Sequence, residues 1–114
     1  MGGPASFVGR SLEPMPTDFA NLLSLGRAIR PAWKPYDALT VNDRPLRIVR
    51  FEGHHSGFHA HDVDECYVVL EGEILVEFEV EAAKHLRRGD AYVVRAGTVH
   101  RPFAVPMAVV LLIT

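Results

Sequence analysis

One cysteine, Cys66, is all the sequence contains, so no internal disulfide can form, which fits a reducing compartment. Nor is there an excess of positive charge. Twelve Lys and Arg stand against 14 Asp and Glu, and a formal net charge of -2 leaves no broad cationic face of the kind nucleic acids require. Long apolar runs are missing too. The longest, MAVVLLI over residues 107–113, falls well short of the ~18 residues of a membrane span. The opening MGGPASFVGR lacks a charged segment followed by an apolar one, so it does not read as a secretory signal. Met1-Gly2 with Ser6 formally matches a myristoylation pattern, but a pattern this short carries little weight. These absences give the expectation of a cytoplasmic protein that engages neither nucleic acid nor membrane. No repeat or low-complexity segment is evident.

What is present suits one compact unit. The chain has 114 residues, of which 48% are hydrophobic and 23% charged, enough apolar material for a single core. Residues 1–16 are rich in Gly, Pro and Ser and read as a loosely held arm. Thr17 can cap a helix over about 17–29, with Asp18 in its first turn and Phe19, Leu22 and Leu23 on one face, before Pro31 forbids continuation. RPAWKPY (30–36) reads as an extended connector carrying Trp33, suited to covering a cavity mouth or packing across a dimer interface. Residues 1–45 are therefore expected to form an arm with one short helix and a first strand, packed on a strand-built unit of residues 46–114.

Strands dominate that unit. DALTV and LRIVRFE flank the turn-like NDRP, and ECYVVL (65–70) leads through Glu71-Gly72, read as a turn, into EILVEFEVE. There Ile74, Val76, Phe78 and Val80 alternate with Glu77, Glu79 and Glu81, the signature of a sheet with one buried and one solvated face. AYVVR follows the turn at Gly89-Asp90, and MAVVLLIT closes the chain as a strand apolar on both faces. Many short strands separated by glycine turns point to a sandwich or small barrel.

The chemistry concentrates in HAHDVDE, residues 59–65. On a strand, side chains two apart share a face, so His59 and His61 form a preset chelating pair. Glu65 can return a carboxylate to the same cavity, and His100 follows the turn at Gly97. Imidazoles with a carboxylate suit Mn, Fe, Co, Ni, Cu or Zn, and four ligands leave positions open for water or substrate. The bland reading is that these are ordinary polar residues of a sheet protein. Tyr67 shares Glu65's face and can act as a proton donor or simply pack in the core, whereas Cys66 points the other way. His54, His55 and His85 lie in polar stretches and read as solvated. Asp62 and Asp64 suit either a turn or the orientation of ligands. Arg50, Arg95 and Arg101 can meet an anionic substrate only if they face the cavity, and alternation turns Arg101 away from His100.

The stretch GHHSGFHAHDVDECYVVLEG, with Gly53, His59, His61, Glu65 and Gly72 at their defined intervals, resembles the first cupin motif. GDAYVVRAGTVH resembles the second, with Gly89, Gly97 and His100 in place but Arg95 where the family usually has Pro, and Ala104 where it often has Asn. Sixteen residues separate the two, as in compact cupins, and the tail is similar to small bacterial cupins labelled mannose-6-phosphate-isomerase-like. The resemblance implies an all-β fold, a double-stranded β-helix or jelly-roll β-barrel, here with one short N-terminal helix. It also implies one divalent transition metal per chain on His59, His61, Glu65 and His100, a small-molecule ligand, and a homodimer. With Fe, Ni, Cu or Mn a dioxygenase acting on an enol, diketone or aromatic acid is expected. With Zn or Mn the expectation is an isomerase or epimerase of a sugar or keto acid. The alternative is a non-catalytic metal-binding or sensing protein. No DNA-binding helix pair accompanies the strands.

Overall fold

The computed structural model describes residues 18–114. Thr17 lies outside them. The helix α1 spans Leu22–Ala28, shorter than expected, and its N-cap is Asn21, whose side-chain oxygen accepts the Ser24 N–H at 2.9 Å. Leu22, Leu25 and Ile29 turn toward the sheet and pack with Ala38, Ile48 and Val109 in a small core of their own. Arg27 reaches from the helix to Glu71, with Nη2 2.7 Å from Oε2, and latches α1 to the sheet. No helix among the described residues is long and apolar enough to cross a membrane.

Six strands follow. β1 (Tyr36–Val41) and β2 (Arg44–His54) form a hairpin whose two turn residues, Asn42 and Asp43, both have positive φ, as a tight two-residue turn matched to strand twist demands. β3 runs Glu65–Phe78, β4 Lys84–Leu86, β5 Ala91–Val94 and β6 His100–Ile113. The hydrogen-bonded order is β1-β2-β6-β3-β4, with β5 also on β3, and every pairing is antiparallel.

This order corrects the expectation of a closed jelly-roll β-barrel or double-stranded β-helix. Among the described residues the sheet has two ends, β1 and β4, and no ladder joins them. Closure needs an edge long enough to pair around the full circuit. Here the far edge of β3 is divided between β4 and β5, strands of three and four residues whose partners lie on β3 alone. The domain is all-β with one helix and an open antiparallel sheet.

Two sequence elements also proved longer than expected. β3 and β6 are single strands of 14 residues each. Glu71-Gly72 is not a turn but part of β3, paired with Val109 and Ala108 of β6, and the extra residue of a bulge in β3 lies just before it, at Leu70. The bulge changes which side chains face inward: Glu65, Tyr67 and Val69 are buried before it, Ile74 and Val76 after it. β6 answers with its own irregularity at Val105 and Pro106, which have no register partner on β2 or β3, and the peptide between them is cis. β3 ends at Phe78, so Val80, expected on the buried face, is 95% exposed.

The main core joins Val49 and Phe51 of β2, Val69, Ile74 and Val76 of β3, and Val110 of β6. Val109 faces the helix while Val110 faces this core, so the C-terminal strand is buried on both faces as its composition implies. At one end of that core lie His100 and Glu65.

Candidate metal centre

His59 and His61 do not sit on a regular strand. They occupy an extended segment between β2 and β3, held by its backbone. The His59 N–H donates to the His100 carbonyl at 2.9 Å, and the His100 N–H donates back to His59 at 2.8 Å. Gly97 N–H donates to the His61 carbonyl at 2.8 Å. Each bond ties the first histidine segment to the turn that delivers His100. Asp64 adds a fourth fastener, accepting the Ala96 N–H at 2.8 Å and Arg95 Nη1 at 3.0 Å. The Ala96 bond first, then Arg95, hold the Asp64 carboxyl below its usual range. Arg95, standing where cupins usually have proline, thus stabilises the turn through a side chain.

The result is a cluster. One ring nitrogen from each of His59, His61 and His100 lies within 4.8 Å of the other two, and the ring centroids are 4.9, 4.7 and 5.6 Å apart. His100 is 1% exposed, His59 is half-buried and His61 faces outward. Carbonyls two residues upstream set two of the rings. His59 Nδ1 lies 3.2 Å from the Gly57 oxygen, and His100 Nδ1 lies 2.8 Å from that of Thr98. A carbonyl can only accept, so Nδ1 carries a proton and Nε2 is the nitrogen each ring turns toward the cluster.

Glu65 stands beside this cluster without joining it. Its Oε1 is 3.7 Å from His61 Nε2 and 3.6 Å from His100 Nε2. Burial disfavours its charge, but His100, Tyr67 and the nearby imidazoles outweigh that and hold the carboxyl below its ordinary range. Burial likewise works against a charged His100, yet Glu65 and the Thr98 carbonyl together raise its pKa. Tyr67, 3% exposed, is pushed far above the usual phenol range by burial and then by the Glu65 charge, so its hydroxyl keeps its proton. Glu65 Oε1 and His100 Nε2 are both buried with no hydrogen-bond partner. Buried polar atoms rarely stay unpaired, and two that face the same space fit a cation between them.

The cavity over the cluster measures about 220 Å³ and is mostly apolar, bordered by Trp33, Phe51, Tyr67 and Leu112 along with the histidines and Glu65. Of the two places the sequence leaves open for Trp33, the structure shows it at the cavity, and His55, which reads as solvated from sequence, borders it too. Trp33 stacks on Phe51 with centroids 4.3 Å apart and on His55 at 5.0 Å. The prolines flanking Trp33 were the available signal, since they mark a rigid connector but not where it lies. Arg101 borders the cavity, but its guanidinium is committed to Glu77 at 2.9 Å and lies over the Phe58 ring. Arg50 lies against Glu52 and does not line the cavity. His54 and His85 are exposed and face Glu77 and Glu73, and Cys66 is half-buried behind Glu65.

Comparison with known proteins follows the same lines. The sequence model of the cupin domain matches residues 32–113. An uncharacterized protein YdbB of Bacillus subtilis (strain 168) is 33% identical over 81 residues, 71% of this chain and 72% of that protein. A cupin-2 domain containing protein from Shewanella frigidimarina superposes with a TM-score of 0.77 at 27% identity, covering 83% of this chain and 92% of the other. Hydroquinone 1,2-dioxygenase from Sphingomonas sp. TTNP3, solved with 4-hydroxybenzoate bound, superposes at 0.69 with 17% identity, over 83% of this chain and 72% of that one. At that identity the likeness is one of fold.

Proposed function

The chain belongs to the cupin domain family, and from that premise we propose that it is a small-molecule metalloenzyme holding one divalent transition metal on His59, His61, His100 and Glu65. The observation that carries this reading is the convergence of three imidazoles beside a buried carboxylate, with Glu65 Oε1 and His100 Nε2 lacking a hydrogen-bond partner among the described residues. Glu65 enters on proximity and charge. It brings an anion to a cluster whose other members are neutral donors, which favours a divalent ion of the Mn, Fe, Co, Ni, Cu or Zn series. When bound, such an ion supplies Lewis-acid or one-electron chemistry at positions open to substrate.

The protein's own groups perform the rest. The Gly57 and Thr98 carbonyls fix the rings, the apolar walls exclude water, and Tyr67 holds a proton beside Glu65. A dioxygenase-type activity is favoured over isomerisation by the fold shared with hydroquinone 1,2-dioxygenases. A purely passive binder would need only the apolar walls. The acid and carboxylate within the same cavity favour turnover.

The test of the metal reading is elemental analysis of the purified chain. A ratio near one ion per chain is expected, and a protein that neither carries nor takes up divalent ions overturns it. For Tyr67 the expected result of Tyr67→Phe is unchanged metal content with turnover lowered about a hundredfold, the scale of a lost proton donor. Unaltered turnover in that variant removes Tyr67 from the chemistry.

A further inference from the structure

Trp33 comes from the connector ahead of β1, far in sequence from the histidines, yet it borders their cavity. Its backbone is left-handed, with φ of 64°, a conformation a bulky residue adopts only when its surroundings compel it. Two hydrogen bonds do so: its N–H donates to the Arg50 carbonyl at 2.8 Å, and its Nε1–H donates to the Glu52 carbonyl at 3.0 Å. Phe51 and His55 stack on the indole, and Phe51 meets Tyr67 edge to face with centroids 5.8 Å apart. The ring is thus fixed in both position and tilt.

We propose that Trp33 is the specificity-determining residue of this site, and that the ligand it selects is a small planar ring compound of about the size of phenol. Three observations carry this. The cavity, about 220 Å³, lies below the roughly 300–1,000 Å³ of sites for drug-sized ligands and has room for one ring with few substituents. Beside aliphatic Val49 and Leu112 its walls carry the rings of Trp33, Phe51 and Tyr67, held to one another by ring contacts, which favour a flat ligand over a puckered one of equal size through offset or edge-on ring contacts. Among the described residues no arginine points a free guanidinium into it, because that of Arg101 is committed to Glu77. Polar discrimination is therefore left to the histidine end, and shape discrimination to Trp33. The inference rests on reading the histidine cavity as the ligand site.

The experiment compares phenol with cyclohexanol, a flat and a puckered ring each bearing one hydroxyl, by calorimetry on the full chain loaded with Zn²⁺. It reads the change that substitution of Trp33 makes to each, since the more acidic phenol meets Zn²⁺ differently in every variant alike. Trp33→Leu should weaken phenol about fivefold, the scale of one lost ring contact, and change cyclohexanol less than about twofold. Trp33→Phe should retain most of the phenol affinity. Equal losses for both alcohols in Trp33→Leu, or no loss for either, overturn the proposal. The wild-type chain supplies a check that needs no variant. Trp33 is its sole tryptophan, and phenol should change its emission saturably. A flat titration overturns the proposal. Zn²⁺ uptake is measured separately, and its failure counts against the metal reading, whereas equal losses of phenol and cyclohexanol affinity in Trp33→Leu with Zn²⁺ bound count against the role of Trp33 alone.

Discussion

His61→Ala should lower affinity for the metal about a hundred- to a thousandfold while leaving the chain folded. The magnitude follows from sharing the ~10–16 kcal/mol of a four-ligand site among its ligands, which assigns ~2.5–4 kcal/mol to each. His61 is the informative choice because it is exposed and its loss opens no internal cavity, whereas His100 is 1% exposed and its removal would mix a packing defect with the loss of a ligand. The His61 carbonyl that holds Gly97 is backbone and survives the substitution. Chelator competition reads the affinity, and thermal unfolding with and without added ion reads the fold. In the wild type, ion at a thousandfold excess over Kd should add about 4 kcal/mol of stability. In His61→Ala most of that increment should vanish while the melting temperature without added ion stays put. Undiminished metal content in the variant would falsify the ligand assignment.

Gly72→Ala should destabilise the domain by roughly 2–5 kcal/mol, lowering the melting temperature by about 10–20 °C. Two costs combine. Gly72 has φ of 81°, where a Cβ meets its own backbone, and the added methyl would collide with the Met107 carbonyl and with Ala108 Cα and Cβ at 2.9 and 3.1 Å. The colliding atoms are mainly backbone of β6, which cannot rotate aside. Gly53→Ala separates the two costs, since Gly53 is also left-handed at φ of 57° but a Cβ there would meet nothing within 4 Å. It should lose only the backbone part, ~1–2 kcal/mol. Equal losses at both glycines in denaturant titrations would remove steric conflict with β6 from the account.

Much of the candidate site was legible because its signal is local. His59 and His61 lie two apart and converge even though the segment is not a regular strand, since extended backbone alone sets that spacing. His100 came through the second motif, and the structure adds why it arrives: its backbone pairs with His59. What stayed hidden depends on pairing between distant segments. A positive-φ glycine serves a turn or an irregular strand equally well, and only the presence of β6 along both halves of β3 keeps Glu71-Gly72 inside one strand, beside the bulge at Leu70. Closure is hidden in the same way, because period-two alternation records which face is buried but not whether the outermost strands meet. The sequence leaves Trp33 between a cavity mouth and a dimer interface because nothing in RPAWKPY states where a rigid connector will lie, and His55 reads as solvated because its partner Trp33 is distant in sequence. The helix began later than Thr17 would allow because Asn21 offered a cap beside the residues that pack.

The bulge in β3 has a consequence beyond stability. Along a strand of strict alternation, Glu65, Tyr67 and Val69 would share a face with residues 71, 73 and 75, leaving Ile74 and Val76 on the other. One extra residue puts the two halves out of step, so both sets point inward. β3 is in effect two instruments on one thread. Its first half offers a carboxylate and a phenol to the cavity, its second supplies aliphatic ballast to the core, and the half-step at Leu70 lets each be altered without re-aiming the other.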